Sequence, residues 1–379
     1  MKDKADVVII GGGATGCGTA YNLAKKGVTD VVLLERNYLC YGATGRCGGG
    51  IRQQFTTEAN IKLAMESVRL FEGLSQELGI DIEYDQGGYL IITYEDEVDQ
   101  FRKNVELQNK MGLKSKFISP EEAREIVPLL NIEPIAGATF CQTDGHANPF
   151  RVVQGYARKA EEMGVEISKF TEVMGIETED DQITAVETDR GTIRTDTVVN
   201  AAGAYSRNIA AMLGIDIPNK PYRHEILVTE SVEHVLDPMI ISFKTGIYFS
   251  QQKCGAIIGG IGDPEEPSSY NISGGLRFLK RMARTMMELV PAFGHLNVLR
   301  QWAGSYDVTP DAQPILGWTD GVEGLCQANG YSGHGFMIAP KVTELIAELI
   351  VDGKTSMPID DLNLRRFEGE ITGEAYVVG

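Results

Sequence analysis

Residues 7–10, Val-Val-Ile-Ile, form an unbroken apolar run, the pattern of a parallel strand buried on both faces. Gly11 to Gly13 then turn the chain. Apolar positions at Ala20, Leu23 and Ala24 predict a helix closed by Gly27, and a second buried run over 31–34 ends in Glu35-Arg36. Together these make a βαβ unit of about 30 residues. Residues 42–50, GATGRCGGG, hold too much glycine for the interior of a helix or strand. Helical periodicity resumes at Glu58 and runs to about Leu78. Alternation over 88–93 predicts antiparallel strands, followed by a charged helix over 95–111 and a capped helix opening at Ser119-Pro120-Glu121-Glu122. A helix over 149–164 leads to strands near 165–170 and a hairpin rich in Asp, Glu and Thr. The buried run 197–200 then ends in Ala201-Ala202-Gly203 and returns the chain to the first layer. Residues 222–262 alternate again, and Leu276–Leu289 is helical. The segment from Gly317 adds a short strand, a glycine turn at 330–335 and an amphipathic helix over 339–351.

A chain of 379 residues exceeds one core of ordinary size. The order of elements predicts an α/β protein of two discontinuous domains. A Rossmann-like dinucleotide-binding domain takes residues 1–85, 144–220 and 308–379, and a mostly antiparallel α+β substrate domain takes 86–143 and 221–307. The net charge of −18 argues against a nucleic-acid partner, which needs clustered Lys and Arg. The six cysteines lie apart, with no CxxC pair or metal-ligand spacing, and read as reduced thiols. No signal-peptide apolar region or run of 18 apolar residues is present. A cytoplasmic protein is expected.

Gly11-x-Gly13-x-x-Gly16 lies between a strand and a helix. Gly11 permits the turn, Gly13 lets backbone approach a pyrophosphate, and Gly16 allows close helix packing. Glu35, 19 residues after Gly16, can accept both ribose hydroxyls and would repel a 2′-phosphate. NAD and FAD both remain open at this point. Three glycine-rich turns spread along the chain suit a long, extended cofactor cradled over its whole length.

These stretches resemble the D-amino acid oxidase superfamily of FAD enzymes, in the branch holding sarcosine oxidases, glycine oxidase and dye-linked L-proline dehydrogenases. VVIIGGG, VVLLER, VVNAAGAYS, WAGSYDVTPDAQPILG and GYSGHGF carry the likeness from end to end. Residues 46–55, 239–244, 302–304 and 331–337 are similar to the archaeal L-proline dehydrogenase β subunits of that branch. The resemblance implies non-covalent FAD on Gly11, Gly13, Ala14, Thr15, Gly16, Glu35 and Arg36, with Ala201, Ala202 and Gly203 nearby. It implies that Ala43, Thr44, Gly45, Arg46, Gly48, Gly49, Gly50 and Ile51 wrap the flavin, and that the Val173 backbone meets the adenine side. Gly330, Ser332, Gly333, His334, Gly335, Phe336 and Met337 are expected at the pyrimidine edge. There the N-terminus of the last helix could stabilise negative charge on reduced flavin.

Substrate contacts carried over from the family are Tyr248 and Tyr306, each equally readable as a half-buried strand residue with a satisfied hydroxyl. His224 is a candidate base or orienter, with a core histidine as the plainer alternative. Arg52 could supply positive charge to the flavin or a substrate carboxylate, or pair with an acid on the adjacent helix. Gly304 stands where monomeric sarcosine oxidase has its flavin-linking cysteine. The position of the histidine anchoring a second flavin, FMN, falls near Pro149, with His146 out of register; a non-covalent FMN at a subunit interface stays open. Ile257 and Met337 replace two lysines of monomeric sarcosine oxidase, one promoting oxygen reduction and one binding carboxylate, although Lys253 is close enough in sequence to substitute for the first.

The expected activity is oxidation of a secondary or N-methyl amino acid, such as L-proline or sarcosine, to the imine. Electrons would pass to a dye or a partner such as an α-type subunit, within an oligomer. The alternatives are an oxygen-using amino acid oxidase, a 2-hydroxy acid or glycerol 3-phosphate dehydrogenase, and a non-catalytic FAD electron-transfer subunit.

Overall fold

A computed structural model describes residues 2–369 and 373–374. The apolar run Val7–Ile10 lies inside a six-stranded sheet, in the order Ile315–Trp318, Leu325–Asn329, Val198–Asn200, Val7–Ile10, Val31–Glu35 and Glu166–Lys169. All its pairings are parallel except the edge pair of Ile315–Trp318 with Leu325–Asn329. Successive side chains on a strand point to opposite faces, so this sheet needs two covers. Val7, Ile9, Val31 and Leu33 pack under the helices Ala14–Lys25, Pro149–Glu162 and Gly335–Asp352. Val8, Ile10, Val32 and Leu34 pack on the three-stranded antiparallel sheet of Val173–Glu179, Gln182–Thr188 and Gly191–Arg194.

The second sheet has eight strands, in the order Val298–Val308, Lys220–Ser231, Ala256–Ile261, Ile247–Gln251, Met239–Ser242, Tyr89–Thr93, Gly137–Cys141 and Lys116–Ile118. It is antiparallel except where Met239–Ser242 runs beside Tyr89–Thr93. One face buries Leu227, Ile240, Phe249 and Ile257 against Phe278, Met282 and Met286 of the helix Leu276–Leu289. The opposite face carries Tyr89, Ile91, Met239, Ile241 and Tyr248. The mixed α/β class and the mostly antiparallel second sheet agree with the pattern of the sequence.

Two segments differ from expectation. Residues 42–50 contain a 3₁₀ turn, Thr44–Arg46, and a short strand, Gly50–Ile51, paired with Gly145–His146. The last helix begins at Gly335, four residues earlier than its periodicity predicts, and holds Pro340 inside it. Proline removes one backbone donor from a helix interior. Ser67, from the helix Glu58–Leu78, fits the disturbed turn: its hydroxyl donates to the Ile338 carbonyl (3.1 Å) and accepts from the Lys341 amide (3.3 Å). The earlier start brings Gly335, Phe336 and Met337 into the first helical turn.

Candidate active site

Two connected hollows lie where the sheets meet. The larger encloses about 1100 Å³ of open space and follows the glycine turn. Gly11 has φ +116°, and a Cβ there would lie 2.3 Å from the Ala201 carbonyl oxygen, so the turn closes against the end of the neighbouring strand only without a side chain. A Cβ at Gly16 would come within 1.8 Å of the Gly11 oxygen, which fixes glycine where helix and strand touch. Gly13 precedes Ala14–Lys25 with no side-chain cap, and the first turn of that helix carries no acid. Its N-terminus is therefore suited to an anion. The Ala14 amide donates to Thr44 Oγ1 (3.2 Å). Glu35 accepts from the amides of Gly12 and Asn37, both at 2.8 Å, which holds the carboxylate at the cleft.

Thr15, Ala43, Arg46, Ala202 and Gly203 complete the expected lining of this cleft. Arg46 reaches the Tyr41 and Ala303 carbonyls and covers the open side of Gly304, whose Cβ would lie 3.1 Å from Arg46 Cβ. Other expected residues lie off the walls. Ile51 is buried in its strand, and Val173 sits in the core beneath the parallel sheet. Gly45 packs on the Cys40 carbonyl. Arg36 lies over the Tyr205 ring at 3.9 Å and beside Glu172. Gly330 shapes its turn by donating its amide to Asp307 (2.7 Å). Tyr41, Tyr205, Ile272, Ser305, Asp307 and Tyr331 line the cleft without having been singled out from the sequence. Burial pushes the Asp307 carboxyl up to about 6, against the opposing pull of backbone amides.

The smaller hollow gathers Gly48, Gly49 and Gly50 with Arg52, Tyr248 and Tyr306, and it faces Ser332, Gly333, His334, Phe336 and Met337 across the gap. Tyr89, Met239 and Ile241 complete its wall and were missed, because each reads in sequence as an ordinary strand residue. Close packing of Tyr89 is a signal only in three dimensions: a Cβ at Gly50 would lie 1.8 Å from its hydroxyl.

Arg52 is 3% exposed. Its guanidinium stacks over Phe55 (4.1 Å) and Phe243 (5.1 Å). Burial lowers its pKa, opposed by the negative charge of Glu374 and Asp144. Neither acid belongs to the following helix, where a partner was an option. Asp144 is pushed up to about 6 by burial and accepts from the Gln53 amide (2.8 Å) and Gln54 Nε2 (2.9 Å). Burial raises the phenols of Tyr89, Tyr248 and Tyr306, which stay protonated.

His224 does not reach the pocket wall. Paired opposite Gly304, its ring is stacked between Tyr306 (4.6 Å, 7°) and Tyr248 (5.5 Å, 15°). Burial alone pushes it down to about 4, so the ring is neutral and stands behind the two tyrosines. Lys253 is also remote in character: its side chain is 75% exposed, 3.7 Å from Asp81. Ile257 is buried in the second core.

A glycine-lined cleft at an open helix N-terminus, an acid at the end of the second strand, and a connected pocket beyond it that holds Arg52 and the tyrosines fit an extended dinucleotide. The sequence pattern of the DAO family of FAD dependent oxidoreductases matches residues 6–349, and the chain belongs to that family. The sarcosine oxidase subunit beta of Rhodobacter capsulatus is 30% identical to it over 100% of this chain and 92% of its own length. That of an Arthrobacter species is 32% identical over 97% and 92%. The crystal structure of L-proline dehydrogenase from P. horikoshii superposes with a TM-score of 0.94 and 42% identity, covering 98% of this chain and 100% of that one. No described helix is long and apolar enough to cross a membrane.

Proposed function

We propose that this protein oxidises a small secondary amino acid, such as L-proline or sarcosine, to the imine, with FAD held non-covalently and electrons passed to a partner rather than to oxygen. The observation that carries this reading is the charge of the smaller pocket. Among the described residues lining it, Arg52 is the one Lys or Arg, and there is no Asp or Glu. Such a site suits a single carboxylate and a neutral amine, since an ammonium would find no counter-ion. A phosphate ester would need more cations than the pocket holds.

FAD supplies the two-electron acceptor. Arg52 anchors the carboxylate, the protonated hydroxyls of Tyr248 and Tyr306 orient the substrate, and Met239 and Ile241 give an apolar wall for its carbons. The first turn of Gly335–Asp352, with no acid and no side-chain cap, places positive backbone dipole at the pocket. Gly304 supports non-covalent attachment, since it offers no thiol. Ile257 and Met337 offer no cation for oxygen chemistry, and exposed Lys253 lies in an ion pair with Asp81. The likeness to proteins named as β subunits supports assembly with a second subunit; we assign the electrons to that subunit and the complex to the cytoplasm. A second flavin has no such support.

Anaerobic mixing of the FAD-loaded protein with a panel of amino acids tests the reading. L-Proline or sarcosine should bleach the flavin absorbance, and the reduced protein should reoxidise faster with an artificial dye than in air. Failure of every secondary and primary amino acid to bleach it would show the reading to be wrong.

A further inference from the structure

His334 ends the glycine turn and immediately precedes the helix Gly335–Asp352. It is 2% exposed, and neither ring nitrogen has a partner with full hydrogen-bond geometry; only the Ser332 backbone lies close enough to pull on the ring. Leaving one buried polar atom unpaired costs about 1–3 kcal/mol, so two on one ring mark a place that expects a ligand. The ring stands edge-on to Phe55 at 5.3 Å, and the Arg52 guanidinium covers the same Phe55 ring from 4.1 Å. His334 lines the smaller pocket and does not line the dinucleotide cleft. The flavin turns Gly48–Gly50 and Gly333 share that pocket with Arg52, so the ring stands where the flavin edge and the carboxylate anchor meet.

We propose that the hydrogen-free ring nitrogen of His334 accepts the N–H of a neutral amine substrate, and that this bond makes the site prefer secondary over tertiary amino acids. The inference rests on the amine-oxidation reading above and names a specificity-determining residue within it. Charge supports the assignment. Burial and then the Arg52 cation push the imidazole down to about 3, opposed by hydrogen bonding to the Ser332 backbone and by the charge of Asp311. The ring is neutral at physiological pH and keeps one acceptor nitrogen. A neutral secondary amine has one N–H to donate and keeps its lone pair for the oxidation. A neutral tertiary amine has no N–H, so it leaves the buried acceptor unpaired, which is how a site built around one hydrogen bond rejects an analogue lacking it. Among the described lining residues, the tyrosine and Ser332 hydroxyls carry a proton as well as lone pairs, whereas the hydrogen-free nitrogen of His334 can only accept.

The test compares L-proline with N-methyl-L-proline, and sarcosine with N,N-dimethylglycine, as anaerobic reductants of the FAD-loaded protein. The wild type should favour each secondary amine by at least about 10-fold in reduction rate over dissociation constant. His334→Phe should lower the secondary amines by about 10- to 100-fold, leave the tertiary ones within about threefold, and keep full FAD content and an unchanged flavin spectrum. His334→Asn, which retains an acceptor oxygen, should recover part of the preference. An unchanged secondary-to-tertiary ratio in His334→Phe overturns the proposal, as does a parallel loss of both substrates with loss of FAD or a shifted flavin spectrum. If no amine of any class reduces the wild-type flavin, the amine-oxidation reading fails first and this inference falls with it.

Discussion

Replacing Arg52 with methionine removes the cation of the pocket while keeping a side chain that can lie across Phe55 and Phe243. The guanidinium is almost fully buried, so a carboxylate seated on it is shielded from water and held by charge-assisted hydrogen bonds. Such bonds are worth about 1.5–3 kcal/mol, and every 1.4 kcal/mol is tenfold in a dissociation constant. Arg52→Met should therefore weaken binding of a carboxylate ligand by about 10- to 100-fold. The variant also removes the cation that faces Glu374 and Asp144, and loss of one partner from buried charges lowers stability, so its unfolding midpoint and FAD content are measured beside the titration. The Asp144 carboxyl, at about 6 with Arg52 holding it down, should move further up. The assay is a titration of the oxidised flavin with cyclopentanecarboxylate, which keeps the shape and carboxylate of proline but has no amine to oxidise. A dissociation constant within about threefold of the wild type, in a variant with full FAD content, would refute Arg52 as the anchor.

Gly11→Ala meets both a φ of +116° and the Ala201 oxygen at 2.3 Å. Strain of about 1–3 kcal/mol from the backbone alone, with displacement of the strand end, should leave the protein largely free of FAD, read as the ratio of flavin to protein absorbance; full flavin content would contradict the fit. Ser67→Ala removes one hydrogen bond to the Ile338 carbonyl and one from the Lys341 amide beside Pro340. A loss of about 2 kcal/mol should appear as a lower unfolding midpoint, and an unchanged midpoint would show that the hydroxyl is dispensable. Asp307 is raised from 3.8 to about 6 in the fold. The native state then binds more protons than the unfolded chain between about pH 4 and pH 6, so this group's contribution to stability falls as pH rises through that window, by about 3 kcal/mol, and is flat above it. Denaturant unfolding of Asp307→Asn should show a smaller fall across pH 4 to 6 than the wild type, and equal slopes would count against the buried acid.

The first layer was largely legible in the sequence because its signals are local. A fully apolar strand, a glycine turn whose three glycines answer to contacts within a few residues or one strand away, and an acid at the end of the next strand can be read from spacing alone. The same holds for Leu276–Leu289 and for the capping box at Ser119 and Glu122, whose reciprocal bonds span three residues. The resemblance of the motifs then pointed to FAD, and the family match agrees. The start of the last helix was misplaced because Pro340 reads as a first-turn residue, whereas it stands sixth in the helix Gly335–Asp352.

By itself, then, the sequence determined a dinucleotide cleft, the likeness to one family, and most of the residues from which the flavin turns are built. Tertiary structure alone decided which side chains share the pocket. Tyr89, Met239 and Ile241 reach it because two parallel neighbours in an otherwise antiparallel sheet present one face toward Gly48–Gly50, a long-range pairing with no local signature. His224 opens a strand and His334 lies within the GYSGHGF turn, and the sequence alone does not say what surrounds either ring. Packing separates them: the register of Lys220–Ser231 against Val298–Val308 locks His224 behind two tyrosines, while the early start of Gly335–Asp352 turns His334 toward Arg52. Burial then sets their charge, since desolvation depends on what surrounds a ring and not on its neighbours along the chain.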